Sequence, residues 1–459
     1  MNRQQEVRHI ENPYPSFQES NFDLDKERKN VLLLLLQNID TFYKNIKVGE
    51  KRAIASVQKE SEVEYNMFDG AGSYLIAYTK LFFFFKRINQ ADLNFLEQNT
   101  PNQLKQYLKK EKYEQDIISQ IQVLESLVSQ NRIKDITFFF SPIGIYLVSM
   151  MYYNEVKDQK NFDHNLQKIL LFTPEIIKNQ NSPKLYHEIL YGTSGYLYNL
   201  LFVQKNFTAM LNANSSKMLI DCIEKIFVII IKAGYTMKED DPEFRLTYNF
   251  HQKEYLGGAH GLFGICQILM NAIKQNPQLK QLQNLNVENL IQKSILFCAS
   301  LQMQSGNFPS GIHHKETDFL VQFCHGSPGA VVPLILASQL FGVQNLLELA
   351  KRAGEDIWKF GILKKGFGIC HGISGNAYAF VALYNFTKDL KWLYYCFTFL
   401  QIQKNKQIMD IISKFDLPDR FIVGTSDYPF SYMIGLAGDI SLFTDSLQPE
   451  TSLFLGFEL

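Results

Sequence analysis

Two short stretches carry the residues with the clearest chemical potential. In QFCHGSPGA, Cys324 and His325 precede Gly326, and 46 positions on, in GICHGISGN, Cys370 and His371 precede Gly372. Thiolate and imidazole together form the donor set that zinc prefers. Neighbouring side chains on an extended strand point to opposite faces, so Cys370 and His371 can share an ion only in a turn or at a helix start. The glycines that follow each pair suggest such a turn. No standard zinc finger separates its two ligand pairs this widely, so the sites must be brought together by the fold.

The bulk composition narrows the setting. The chain has 459 residues, 46% of them apolar, which suffices for a large core. Lys plus Arg and Asp plus Glu number 46 each. A net charge of zero gives no electrostatic reason to expect nucleic acid or an acidic membrane surface. The start, MNRQQEVRHI, lacks an apolar signal region, and the apolar runs VLLLLL (31–36) and LFFFF (81–85) are far shorter than the ~20 residues of a membrane span. The expectation is a cytoplasmic protein without a transmembrane segment. Six cysteines at this length do not make a disulfide framework. Cys222, Cys266, Cys298 and Cys396 sit in apolar helical surroundings and read as core residues.

The elements that must position the Cys-His pairs are helices. In NLLELAKRAGEDIWKFG, Leu346, Leu349, Ala350, Ala353 and Ile357 share one face at 3.6-residue spacing, and Gly361 stands where a C′ glycine belongs. Segments 216–233, 286–304 and 377–403 also have helical length without internal breakers. A Gln- and Lys-rich stretch, 89–135, reads as a variable helical insert, and residues 1–60 as an N-terminal extension with the first helices. No composition shift marks a boundary, so the whole chain reads as a single domain. Ahead of apolar helices a Gly-x-x-Gly motif recurs: at Gly192 and Gly195, Gly261 and Gly264, Gly326 and Gly329, Gly372 and Gly375, and Gly435 and Gly438. Two degenerate copies come first, DGAGSYL near Gly70 and SPIGIYL, where Ser141 replaces the first glycine. One such unit cannot bury its apolar face alone, whereas stacked units can. Seven helical hairpins closing into a ring, an all-α α/α toroid, would gather the glycine turns at one end of the inner barrel. Cys324, Cys370 and His371 would then converge, with His260 facing them.

The stretches YGTSGYLY, YLGGAHGLFGI, FPSG (308–311), LVQFCHGSPG, GILKKGFGICHGISGNAYAF, DYPFSYMIGLAG and the terminal FEL resemble the lanthionine synthetase C-like family in content and order. The resemblance is clear from about residue 190 onward. It implies the same seven-hairpin toroid and one zinc ion held by Cys324, Cys370 and His371. Three protein ligands leave a fourth position open, as catalytic zinc sites do. A closed Cys2His2 site that included His325 would instead be structural. The resemblance further implies glutathione as co-substrate, its thiol adding to a dehydroalanine or dehydrobutyrine in a peptide or protein. His260 is then the general acid that protonates the α-carbon. Lys365 matches a family position that can pair with a glutathione carboxylate, and Asp427 ends the stretch corresponding to an Arg-Thr-Pro-Asp-like loop. Here that stretch is Gly424, Thr425, Ser426 and Asp427, without the arginine, and Ile434 stands where an acidic residue is common. A zinc- and glutathione-binding scaffold without chemistry is the rival reading. A toroidal terpene cyclase or glycosidase would need paired carboxylates, and the only dense acidic run, EDDPE (239–243), reads as a solvated loop.

Overall fold

A computed structural model describes residues 8–57, 65–131, 133, 135–236, 244–282, 284–313, 318–414 and 429–459. Among them seventeen α-helices form: α1 (Leu24–Val57), α2 (Gly72–Arg87), α3 (Gln90–Asn99), α4 (Lys110–Gln130), α5 (Pro142–Val156), α6 (Gln159–Leu170), α7 (Phe172–Lys178), α8 (Thr193–Asn206), α9 (Ala213–Gly234), α10 (Leu262–Gln275), α11 (Val287–Ser300), α12 (Ser327–Phe341), α13 (Gln344–Phe360), α14 (Ile373–Thr387), α15 (Leu390–Gln401), α16 (Lys406–Lys414) and α17 (Leu436–Leu447). Strand is limited, among the described residues, to one two-residue pairing, Gln281–Leu282 with Leu285–Asn286.

Seven helices, each following one glycine turn, form the inner ring. α2 packs on α5, α5 on α8, α8 on α10, α10 on α12, α12 on α14, α14 on α17, and α17 returns to α2. Each has an outer partner: α4 on α2, α6 on α5, α9 on α8, α11 on α10, α13 on α12 and α15 on α14. The seventh hairpin is completed from the other end of the chain, by α1 lying on α17. The seven-hairpin toroid is therefore present, and the stretch around 89–135 supplies α4 to its first hairpin. Inner and outer helices differ as their surroundings demand. α5 buries every residue from Pro142 to Met150, whereas α13 buries one face, including Leu346, Ala350, Ala353 and Ile357, with Leu349 at its margin.

Two local expectations are corrected. The run 377–403 is not one helix. Lys388 adopts a left-handed conformation (φ 58°) that ends α14, and the Asp389 side chain accepts a hydrogen bond from the Lys391 amide to start α15. Gly361 ends α13 with φ −85°, not left-handed; a Cβ there would crowd the Ile357 carbonyl.

The seven turns share one steric requirement. A Cβ on Gly72, Gly144, Gly195, Gly264, Gly329, Gly375 or Gly438 would lie less than 3.0 Å from the carbonyl oxygen six residues earlier. In the first copy the second glycine is thus Gly72, and Asp69 takes the place of the first. That close approach lets the preceding segment serve the helix start. The amides of Thr193, Leu262, Ile373 and Leu436 donate to carbonyls seven residues back, of Tyr186, Tyr255, Gly366 and Pro429, at 2.9–3.0 Å. They thereby satisfy amides that a helix leaves unpaired. Other backbone bonds run from turn to turn. The Met67 amide donates to Phe139, Ile189 to Ala259, Cys324 to Cys370, Cys370 to Met433, and Met433 back to Phe68.

The last residues fill the barrel. Lys80 of α2 donates to the Leu453 carbonyl, Tyr432 to Leu455, Gln267 of α10 to Phe457, and the Gly456 amide to the Tyr198 hydroxyl of α8. Phe457 packs its ring 4.4 Å from Phe323 and 5.1 Å from Phe139 and is 2% exposed. Beside the tail, Lys80 pairs with Asp445 of α17 at 2.7 Å, and Tyr378 of α14 donates to the same carboxylate at 2.9 Å. Burial raises the Asp445 carboxyl above its usual range while Lys80 opposes that shift.

Because the buried Phe457 ring packs on Phe139 and Phe323 in the turns before α5 and α12, Phe457→Ala should lower the urea midpoint by an amount corresponding to about 3–5 kcal/mol. Leu171→Ala, at a side chain 72% exposed, is the control. Equal small shifts from both would show that the tail is not part of the core.

Candidate metal centre and its rim

The shared geometry of the turns places equivalent residues around one mouth of the barrel. Four positions before the second glycine stand, in ring order, Phe68, Phe140, Tyr191, His260, His325, His371 and Ile434. The residue before each is Met67, Phe139, Leu190, Ala259, Cys324, Cys370 or Met433. Three successive rim positions are thus Phe or Tyr, the next three are imidazoles, two of them preceded by a thiol, and the last is Ile434.

Cys324, Cys370 and His371 come together as expected. Their ligand atoms all lie within 4.8 Å of one another, and both cysteines are buried. Cys370 and His371 occupy the turn before α14, which lets adjacent residues serve one point. The Cys324 amide donates to the Cys370 carbonyl at 3.1 Å, tying the two turns together. Gly326 has φ 115° and ψ −164°, a region open only to glycine, and it turns the chain directly after the Cys-His pair. The thiols are electrostatically linked. The Cys370 thiol and the His371 ring hydrogen-bond to Cys324 and hold it well below the ordinary thiol range, against burial. Cys324 and burial in turn hold Cys370 well above that range. The pair gives up one proton readily and keeps the second, which suits a site that a cation completes. Gln322 adds a hydrogen bond from Nε2 to Cys324 Sγ at 3.1 Å. Ligand bonds of ~2.3 Å in a tetrahedron put donors about 3.8 Å apart. The cluster therefore needs little closure to fit zinc, and its donor chemistry matches.

His325 lies outside this group. Its ring is 5.3 Å from that of Tyr255, its Nδ1 is buried without a hydrogen-bond partner among the described residues, and burial lowers its pKa. The arrangement is that of three donors, not four. Burial holds the thiols of Cys222, Cys266, Cys298 and Cys396 above their ordinary value, as core cysteines.

His260 occupies the rim position next to His325. Its Nδ1–H donates to Glu188 Oε2 at 2.9 Å, and the ring lies parallel to Phe250 with centroids 4.3 Å apart. Glu188, nearly fully buried, is fixed by the amides of Leu190 (2.8 Å) and Tyr191 (2.6 Å). The carboxylate thus sets the tautomer and leaves Nε2 for other work. Sequence reasoning missed Glu188, Phe250 and Gln322. A register aligned on the second glycine would have found two of them, because Glu188 and Gln322 each stand seven residues before it. Lys365 is half-buried near the thiols, and its charge bears on both Cys370 and His325. Asp427, with Gly424, Thr425 and Ser426, lies outside the described residues. Ile434 takes the seventh rim position, against Gly368.

Fold and site together define a class: a closed toroid of helical hairpins with a thiolate–imidazole cluster at its mouth. Residues 100–459 match the family model described as lanthionine synthetase C-like protein. This chain belongs to that family, and the match reaches well upstream of residue 190. A zebrafish (Danio rerio) protein named glutathione S-transferase LANCL1 is 35% identical over 327 residues, 71% of this chain and 74% of that protein. The LanC-like protein GCL1 of Arabidopsis thaliana is 26% identical over 357 residues, 75% of this chain and 76% of its own length. Among solved structures nisin cyclase superposes with a TM-score of 0.61 at 17% identity, covering 88% of this chain and 94% of that one, a likeness of fold. No described helix is long and apolar enough to cross a membrane.

Metal analysis of purified variants checks the ligand set. Cys324→Ala and Cys370→Ala should each lose the bound metal, and His325→Ala should retain it. Loss in His325→Ala would replace the three-donor arrangement with the closed four-residue site.

Proposed function

We propose that this protein joins the thiol of glutathione to the β-carbon of a dehydroalanine or dehydrobutyrine residue. The observation that carries the reading is the Glu188-held His260 on the same rim as the Cys324–Cys370–His371 cluster. The names of the zebrafish relative and of nisin cyclase support a transferase- or cyclase-type reaction. Cys324, Cys370 and His371 would hold one Zn²⁺. When bound, zinc acidifies a thiol that enters its open position, whose unperturbed pKa near ~8.5 would otherwise keep it protonated.

The residues of the chain perform the remaining tasks. In the addition the glutathione S–C bond forms at the β-carbon, the C=C pair moves onto the α-carbon and its carbonyl, and the thiol proton has already left to solvent. The α-carbon then takes a proton. Glu188 holds Nδ1–H of His260, so Nε2 is the ring atom turned to the proton transfer. The Phe250 ring covers one face of the imidazole and restricts its rotation. Lys365 supplies a compact positive charge for a glutathione carboxylate.

Mass spectrometry of the protein incubated with glutathione and a dehydrobutyrine-containing peptide is the direct test. Adduct formation should fall by ~10²–10⁴ in His260→Asn, the usual contribution of a positioned acid, with metal content and fold unchanged. Unchanged turnover would assign the proton to water or another group. No adduct from the unsubstituted protein, across several such peptides, would favour a non-catalytic zinc- and glutathione-binding protein.

The anion contact is separable by calorimetry. Lys365→Ala should weaken glutathione binding by about 1–3 kcal/mol, the range of a charge-assisted hydrogen bond. An unchanged affinity would remove Lys365 from the site.

A further inference from the structure

We propose that Gln322 is a positioning residue of the metal centre, whose side-chain amide fixes the direction of Cys324 Sγ and draws charge from it, so that the site can take up a third thiolate. This role rests on the reading above, in which the glutathione sulfur enters that site, and adds a residue to it. Gln322 Nε2 lies 3.1 Å from Cys324 Sγ. A thiolate that serves as a ligand can only accept a hydrogen bond, so the amide must present its N–H. Gln322 is buried, where a primary amide is costly unless it has a partner.

The surrounding backbone leaves this side chain little freedom. The Gln322 amide donates to the His325 carbonyl at 3.1 Å and the His325 amide to the Gln322 carbonyl at 3.0 Å, closing a four-residue loop with Phe323 and Cys324 at its tip. The Phe323 ring is anchored on Phe454 and Phe457 of the tail, at centroid distances of 4.9 and 4.4 Å. On the approach to the loop, the Val321 carbonyl accepts a hydrogen bond from Asn376 of α14 at 2.9 Å. The loop is thus held from both sides, with the amide aimed at the sulfur two residues on.

The register indicates the task of the amide. Seven positions before the second glycine the turns carry, in ring order, Tyr65, Thr137, Glu188, Gly257, Gln322, Gly368 and Ser431. Glu188 faces an imidazole N–H, for which a carboxylate is the matching acceptor. Gln322 has the same length and faces a sulfur, for which an amide is the matching donor. A carboxylate there would set a further negative charge against a thiolate. In the turn of Cys370 the position is Gly368, which has no side chain to offer. The thiolates of Cys324 and Cys370 together balance a divalent cation, so a third sulfur would leave the site anionic. An N–H donated to Cys324 Sγ offsets part of that charge.

Cobalt(II) in place of zinc supplies a readout other than activity. Gln322→Leu should still bind cobalt, and its sulfur-to-cobalt charge-transfer band should move to longer wavelength, because a sulfur that loses its N–H donor holds its electrons less tightly. Gln322→Glu should move the band at least as far. Calorimetry of the zinc-loaded protein then compares glutathione with S-methylglutathione, which cannot form a thiolate. Gln322→Leu should weaken glutathione about tenfold and leave S-methylglutathione unchanged. An unmoved band, or a glutathione affinity equal to that of the unsubstituted protein, would overturn the role. Equal weakening of the two compounds would place the effect away from the thiolate and also overturn it. Loss of cobalt from both variants, with the native circular dichroism retained, would make Gln322 a support of the turn alone and equally overturn the proposal. A shifted band in a protein that binds neither compound, before or after substitution, would overturn the conjugate-addition reading and leave the hold of the amide on Cys324 standing.

Discussion

The missing Cβ of the second glycine is the constraint on which the architecture depends. At seven places the start of an inner helix is driven against a carbonyl only six residues earlier, at a distance no side chain permits. That proximity brings the preceding segment over the helix start, where its carbonyls take up the first amides. It also fixes where the residues before the glycine point. Because every turn obeys the same restriction, the residues four and five places before it form two concentric rings. The candidate metal cluster is three members of these rings, Cys324 and Cys370 of one and His371 of the other, not an arrangement built for itself.

Seen this way, the mouth is a single position sampled seven times. Phenylalanine, phenylalanine, tyrosine, histidine, histidine, histidine and isoleucine succeed one another around it. One side of the barrel therefore gathers thiols and imidazoles, the donors suited to a cation, while the other offers flat apolar surface. The three histidines are equivalent by register and different by neighbour. His371 has Cys370 before it and Cys324 within reach, His260 has Glu188, and His325 has a buried nitrogen with no partner among the described residues. The neighbour, not the motif, decides what each ring can do.

Much of this was legible from the glycines. Their recurrence announced seven hairpins, and the doubled Cys-His-Gly announced where two turns must meet. Glu188 was hidden because its role is set by backbone: two amides of its own turn and a histidine 72 residues away. The break at Lys388 was hidden because the left-handed residue there is neither glycine nor asparagine. The register of the first turn stayed open because DGAGSYL holds two glycines two positions apart, and only the approach of Gly72 to the Asn66 carbonyl shows which one meets the helix start. In each case the deciding contact was non-local or belonged to the main chain, where residue type says little.

The pairing of α1 with α17 has a consequence for how the molecule comes into being. Six of the hairpins join helices close in sequence, so they can form as local events during synthesis. The seventh cannot. Arg28 on α1 donates to the Leu447 carbonyl across 419 positions, and Lys80 reaches Asp445 across 365. Closing so long a loop adds only about 2–4 kcal/mol over closing a hairpin, because the entropy grows with the logarithm of length. The difficulty is one of timing. Until the ribosome has delivered α17 and the tail behind it, the six finished hairpins form an open arc with apolar edges on α2 and α14. A nascent chain therefore carries, while the sixty or so residues between α15 and Leu459 are added at about 5–20 residues per second, two sticky flanks that those residues go on to cover.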